Sequence, residues 1–240
     1  MPRERQNRPR DEAAERIEWY IRENRLAPHS RLPSERDMCD MWGCNRVTLR
    51  GAIRRLIAEG LLYSKKGSGT YVARPKIVRN LQDLKPFSAV VRMAGRQPSS
   101  RVVSWNVMEG NKQVTQKLRL RLGSRVFVLV RLRLVDGESA MIETSCMDYQ
   151  RVPGIEVNDF SRASLYDILE RDYGVVAARG DESVGMTYCT LEEAELLGIA
   201  PGAPVFLLAG LVSDAANIPV EYIRSVARPD LIRFAGVLTR

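Results

Sequence analysis

Residues 31–73 read RLPSERDMCDMWGCNRVTLRGAIRRLIAEGLLYSKKGSGTYVA, and the punctuation within them leaves the chain few ways to fold. Pro33 and Ser34 open a helix, with Ser34 at the cap and Asp37 at capping-box spacing. Gly43 ends it. Asn45 is a strong N-cap for a second helix, which runs to Glu59 and stops at Gly60. Along that second helix Val47, Ala52, Ile53, Leu56 and Ile57 are assigned to an inward stripe, and Arg46, Thr48, Arg50 and Arg54 lie off it. Two short strand-like runs follow, Leu61-Leu62-Tyr63 and Thr70-Tyr71-Val72, joined by Ser64-Lys65-Lys66-Gly67-Ser68-Gly69. Helix, tight turn, helix and basic hairpin together predict a winged helix-turn-helix.

The residues off the stripe suit nucleic acid. Arginine offers a two-pronged donor to guanine, and threonine serves a phosphate or a thymine methyl. Arg46, Thr48 and Arg50 crowd the first turns, the end that a recognition helix pushes into the major groove. Lys65, Lys66, Gly67 and Gly69 at the hairpin tip allow close backbone approach to phosphates. Any single charge is more often a solvated face, but capping, turn, arginine spacing and basic hairpin coincide within one short stretch.

On these residues the chain resembles the GntR family of bacterial transcription regulators. The resemblance is carried by LPSER, NRVTLRGAIRRLIAEGLL and GSGTYV and covers roughly residues 10–75. It implies that Arg36, Arg46, Thr48 and Arg50 contact DNA, with Lys66, Gly67 and Gly69 in the wing. Cys39 and Cys44 stand where the family has small apolar residues, and read as core packing.

Charge agrees with that division. Residues 1–79 hold 18 Lys+Arg against 10 Asp+Glu, whereas residues 80–240 hold 19 against 19, so the whole net +8 lies in the first third. Such asymmetry is the footprint of a polyanion-binding domain. No apolar run reaches membrane-span length, no signal-peptide pattern opens the chain, and four cysteines lack zinc-ligand spacing, which together fit a reduced, cytoplasmic setting with no cofactor. Residues 11–24 are expected to form a leading helix with Ala14, Ile17, Trp19 and Ile21 as its apolar face. His29, the single histidine, reads as a loop residue.

The length allows two modest domains: residues 1–73 as the winged helix-turn-helix, 74–86 as a linker with Pro75 and Pro86, and 87–240 as a second domain. In the second domain the expected elements are helices at 87–94, 113–122, 164–173 and 190–198, and strands at 101–108, 125–135, 139–149, 175–188, 203–213, 218–228 and 232–238. Hairpin-linked strands with helices between them imply an α+β domain with an antiparallel sheet, so the whole is a two-domain α/β chain. The order and landmarks Phe87…Gly95, VRLRLVDGESAMIETS, SLYDILERDYG, TLEEAELLGIAPGAPVFLL and IPVEYIRSVARPD resemble the UTRA effector-binding domain of the HutC subfamily, whose fold is like chorismate lyase. The all-helical, metal-binding alternative in this family needs several histidines, and residues 80–240 contain none.

The hairpin around Asp136-Gly137 is open to two registers. A two-residue loop sets Arg133 opposite Ala140 and Arg131 opposite Ile142. A three-residue loop, Asp136-Gly137-Glu138, sets Arg131 opposite Glu143 and Arg133 opposite Met141, which gathers Val130, Leu132, Leu134, Ala140, Ile142 and Cys146 on one face. The binary pattern favours three. Arg131 and Arg133 then share a face as a pincer for a phosphate or carboxylate, or, more blandly, Arg131 and Glu143 form an exposed cross-strand pair. The resemblance implies that Arg131, Arg133, Glu143, Ser164 and Glu221 line an effector pocket. Ala227 stands where relatives that bind phosphorylated amino sugars carry Tyr.

Together these features predict a ligand-responsive, homodimeric transcription regulator, a repressor, gripping palindromic operator double-stranded DNA and responding to a small anionic metabolite. The sequence leaves two alternatives: an effector-independent architectural DNA binder, and an enzyme of chorismate-lyase-like fold. No nucleophile motif, catalytic histidine or metal cluster supports the enzyme.

Overall fold

The structure is a computed structural model that describes residues 9–236. It divides into two compact units between Lys76 and Ile77.

The first unit contains α1 (Pro9–Glu23), α2 (Glu35–Trp42), α3 (Arg46–Ala58) and the hairpin β1 (Leu62–Lys65) and β2 (Gly69–Val72). Ser34 Oγ accepts the Asp37 amide at 3.2 Å, Gly43 closes α2 with φ 62°, and Asn45 Oδ1 accepts the Thr48 amide at 2.8 Å. These caps fix both ends of the turn, so α3 leaves in one direction. Its buried stripe is Leu49, Ala52, Ile53 and Leu56, packed with Ala13, Ala14 and Ile17 of α1. Val47 was assigned to that stripe, but it is 78% exposed and Leu49 takes its place at 0%. Two residues apart, they point roughly 200° away from each other around the helix. For the same reason Trp19, two residues after buried Ile17, is 55% exposed rather than apolar face.

The second unit is built on a six-stranded antiparallel sheet in the order β4-β5-β6-β9-β8-β7. Its strands are β4 (Pro98–Glu109), β5 (Arg125–Val135), β6 (Glu138–Asp148), β7 (Arg179–Tyr188), β8 (Pro204–Ser213) and β9 (Pro219–Ala227). α5 (Lys112–Lys117) and α7 (Leu191–Leu197) cover one face through Val114, Leu118, Ala194 and Leu197. α7 opens with the expected capping box, Thr190 and Glu193 exchanging hydrogen bonds. The other face carries α6 (Leu165–Tyr173) and α4 (Phe87–Met93), each over its own apolar cluster.

Besides shifted ends, such as the helix expected to reach 122 stopping at Lys117 and the strand expected from 175 starting at Arg179, two features depart from expectation. Residues 77–80, placed in the linker, form β3 (Ile77–Asn80), which pairs in parallel with β10 (Ile232–Ala235). Ile77 and Ile232 are both buried in the cluster beneath α4. The expected last strand extended to residue 238, and its final two positions lie outside the described residues. The second departure is in the β5–β6 hairpin. Its turn is two residues long, with Asp136 at φ 53° and Gly137 at φ 82°, and Val135 faces Glu138. A bulge at Ala140 then adds one residue to β6, so Arg131 faces Glu143 and Arg133 faces Met141 all the same. Beyond the bulge the favoured register is present, produced by a tight turn plus a bulge instead of a longer loop. Ala140, expected on the face of Leu132 and Ile142, is buried with Met141 and Ala227 instead.

Because β3 completes the core of the second unit, a fragment of residues 87–240 is expected to melt well below one of residues 74–240. The loss of the buried Ile77 side chain alone costs about 2–3 kcal/mol. Equal melting of the two fragments would show that the β3–β10 pair adds no stability.

Candidate nucleic-acid interface and candidate ligand cavity

The DNA-facing candidates lie on the first unit. Arg46, Arg50 and Arg54 are exposed on α3, Thr48 is half-buried, and Arg36 is exposed on α2. Arg50 is held at its Nε by Glu35 Oε2 at 2.7 Å. In the wing, Lys66 and Gly67 are exposed at the tip and Gly67 has φ 73°. Lys65 instead folds back, its ammonium 5.4 Å from the Tyr71 ring centre and 5.9 Å from that of Tyr63. Gly69 has a backbone reason to be glycine: φ is 128°, and a Cβ there would lie 3.0 Å from Arg31 Nε. Arg31 and the stacked Tyr63–Tyr71 pair were not singled out from the sequence, because their roles come from cross-strand neighbours.

In the second unit, Arg131, Arg133, Glu143, Ser164 and Glu221 all line one cavity of about 590 Å³ on the α6 face of the sheet. Arg131, Glu143 and Glu221 stand on the neighbouring strands β5, β6 and β9, and α6 brings Ser164 from above. Arg131 is 1% exposed; its Nη2 donates to Glu143 Oε1 at 2.5 Å. Arg133 Nε and Nη2 reach the same oxygen at 3.1 and 2.8 Å, and Arg133 Nη1 donates to Ser100 Oγ at 2.7 Å. The cross-strand ion pair therefore forms, but buried rather than on an exposed face.

Burial works to raise the Glu143 carboxyl, but Arg133 and Arg131 outweigh it and hold it down at about 2. The Arg131 guanidinium pKa is lowered too, because burial outweighs the pull of Glu143. Its Nε and Nη1 are buried and have no hydrogen-bond partner among the described residues, an unmet demand. Glu221 is raised, by burial and then by Glu143, and accepts from Tyr166 Oη at 2.5 Å. Burial and Glu221 push the Tyr166 phenol up, so it stays a donor. Ser164 caps α6 in extended backbone conformation, and its side chain makes no capping hydrogen bond. The cavity thus sets guanidinium groups and a helix N-terminus beside carboxyls, a surface able to take an anion that also carries hydroxyl or amino groups.

Sequence reasoning missed Tyr166, Ser100 and the Arg79–Glu182 pair at 2.9 Å, which also line the cavity. Tyr166 could have been found, two residues after Ser164 at a helix start. Arg79 and Glu182 are 103 residues apart and leave no local signal. Ala227 is buried in the apolar cluster with Met141 and Leu208, at one flank of the polar row.

Residues 9–72 match the family "Bacterial regulatory proteins, gntR family", and residues 93–233 match the UTRA domain. The chain belongs to the GntR family. It carries a UTRA domain as its second unit, the arrangement of the HutC type, and its curated relatives are named transcriptional regulators rather than enzymes. It is 30% identical over 226 residues to the HTH-type transcriptional repressor NagR of Bacillus subtilis (strain 168), covering 94% of this chain and 93% of that one. It is 29% identical to the HTH-type transcriptional repressor PhnF of Mycolicibacterium smegmatis, over 86% of this chain and 84% of that one. The crystal structure of PhnF from Mycobacterium smegmatis superposes with a TM-score of 0.71 at 26% identity, covering 95% of this chain and 99% of that one. No helix among the described residues is long and apolar enough to cross a membrane.

Glu143 neutralises two buried cations, so Glu143→Gln is expected to destabilise the second unit by about 3–5 kcal/mol at neutral pH. A carboxyl held below its ordinary 4.5 stabilises the fold above that pH, and the contribution fades as pH falls toward about 2. The gap between wild type and variant in chemical denaturation should therefore narrow over that window. A gap independent of pH would show that Glu143 is not the charged partner.

Proposed function

We propose that this GntR-family protein is a cytoplasmic repressor that holds a palindromic operator as a homodimer and leaves it when a small anionic metabolite enters the UTRA cavity. The observation that carries the ligand half is the meeting of two buried arginines on one oxygen of Glu143, with guanidinium donors left over. Relatives named as repressors support the direction of regulation. A palindrome needs two-fold protein symmetry, and the second unit is the proposed source of most of the dimer contact.

On the DNA side, Arg36, Arg46, Thr48 and Arg50 read or grip the operator, and Lys65, Lys66, Gly67 and Gly69 follow its backbone from the wing. On the ligand side, Arg131 and Arg133 hold the anion with Ser164, and Glu143 and Glu221 balance charge and take hydrogen bonds from the rest of the molecule. A ligand switches only what it binds unequally, so the metabolite must favour the DNA-free state. Phosphorylated and carboxylated metabolites that raise the melting temperature are the candidates to add to a protein–operator complex.

Arg46→Ala or Arg50→Ala is expected to cost about 1–3 kcal/mol in operator affinity and to relax base preference. Lys66→Ala should weaken all sequences alike and lower the salt slope by about one. Fluorescence anisotropy on labelled operator measures both. Wild-type binding by both arginine variants would place the recognition surface elsewhere, and an unaltered complex with every stabilising metabolite would favour an effector-independent DNA binder.

A further inference from the structure

Arg50 does not stand alone on the recognition helix. Its Nε donates to Glu35 Oε2 at 2.7 Å, although the Arg50 side chain is 63% exposed and that of Glu35 36%. Glu35 is the first residue of α2, directly after the cap Ser34, so its backbone is fixed by the Ser34–Asp37 hydrogen bond. Arg50 lies one turn into α3, whose start is fixed in turn by Asn45. The contact therefore joins the two helices of the motif between anchored points.

The choice of nitrogen matters. With Nε engaged by the carboxylate, the outer edge of the guanidinium, Nη1 and Nη2, keeps two parallel donors, the fork that meets O6 and N7 of a guanine. A free arginine must surrender several rotatable bonds when it meets a base, and one held at Nε has surrendered them beforehand. Electrostatics alone would argue against Glu35: a carboxylate beside phosphates opposes every duplex equally. We propose that Glu35 is a positioning residue that fixes base preference by holding Arg50 with its outer edge toward the major groove. This rests on the proposal that Arg50 reads the operator.

Positioning and plain charge make opposite demands, which gives the test. Selection from a random duplex library by full-length wild-type protein supplies the preferred site, and a scrambled duplex supplies the reference. Glu35→Ala is expected to bind the preferred site about threefold to tenfold more weakly, the range that one unordered side chain is worth. It should bind the scrambled duplex as well as wild type or better. Glu35→Gln keeps an acceptor for Nε and should retain the base preference, with slightly tighter binding to both duplexes. Adding Glu35→Ala to Arg50→Ala should change base preference no further. Thermal melting of each variant separates a lost helix start from a lost contact, and Glu35→Gln decides if Glu35→Ala melts early. If Glu35→Ala and Glu35→Gln tighten both duplexes by one factor and leave base preference intact while Arg50→Ala relaxes it, Glu35 is only a surface charge. If Arg50→Ala itself leaves the preferred site bound as in wild type, the reading of Arg50 fails instead.

Discussion

The second unit depends on one arrangement: Glu143 buried beneath two arginines in the middle of a sheet. A lone carboxylate there would take up a proton, and a lone guanidinium would leave its charge unbalanced; together they stay charged while buried. The cost falls on Arg131, two of whose nitrogens find no partner among the described residues. A protein seeking stability alone would fill such a place with apolar side chains, as it does on both flanks, where the clusters around Phe127 and around Met141 are closed. On the proposed function, the polar row between them is kept for a ligand.

Everything around that row serves to aim it. The Ala140 bulge sets the parity of β6, because without it Glu143 would turn to the face covered by α7. β9 brings Glu221 alongside, and α6 supplies Ser164 and Tyr166 from above. The first unit works on the same plan at smaller scale. Ser34, Gly43 and Asn45 fix two helices so that Arg46, Arg50 and Arg54 of α3 remain outside the core.

What could be read from the chain is what local chemistry decides. Caps at Ser34, Asn45 and Thr190 formed as the residues required, and the pairing of Arg131 with Glu143 followed from keeping apolar residues on one face. Periodicity misled at Val47 and Trp19, where an apolar residue near the right spacing faces outward. β3 was hidden because its partner β10 lies some 150 residues away, and four residues of Ile-Val-Arg-Asn carry little pattern of their own. The turn length was misjudged because a tight turn followed by a bulge gives the same register as a longer loop. Charge pairs such as Arg79 with Glu182 and Arg50 with Glu35 depend on tertiary approach, which spacing does not encode.

The central claim is that the buried arginines hold the anion of a regulatory metabolite. A crystal structure of the full chain soaked with a metabolite that raises its melting temperature tests this most directly. The account predicts an anionic group within hydrogen-bond distance of the Arg131 or Arg133 guanidinium and of Ser164, with the rest of the molecule between Glu221 and Tyr166. An anion seated only on the exposed Arg162 or Arg171 at the cavity mouth, with the Arg131–Glu143–Arg133 cluster untouched, would contradict it.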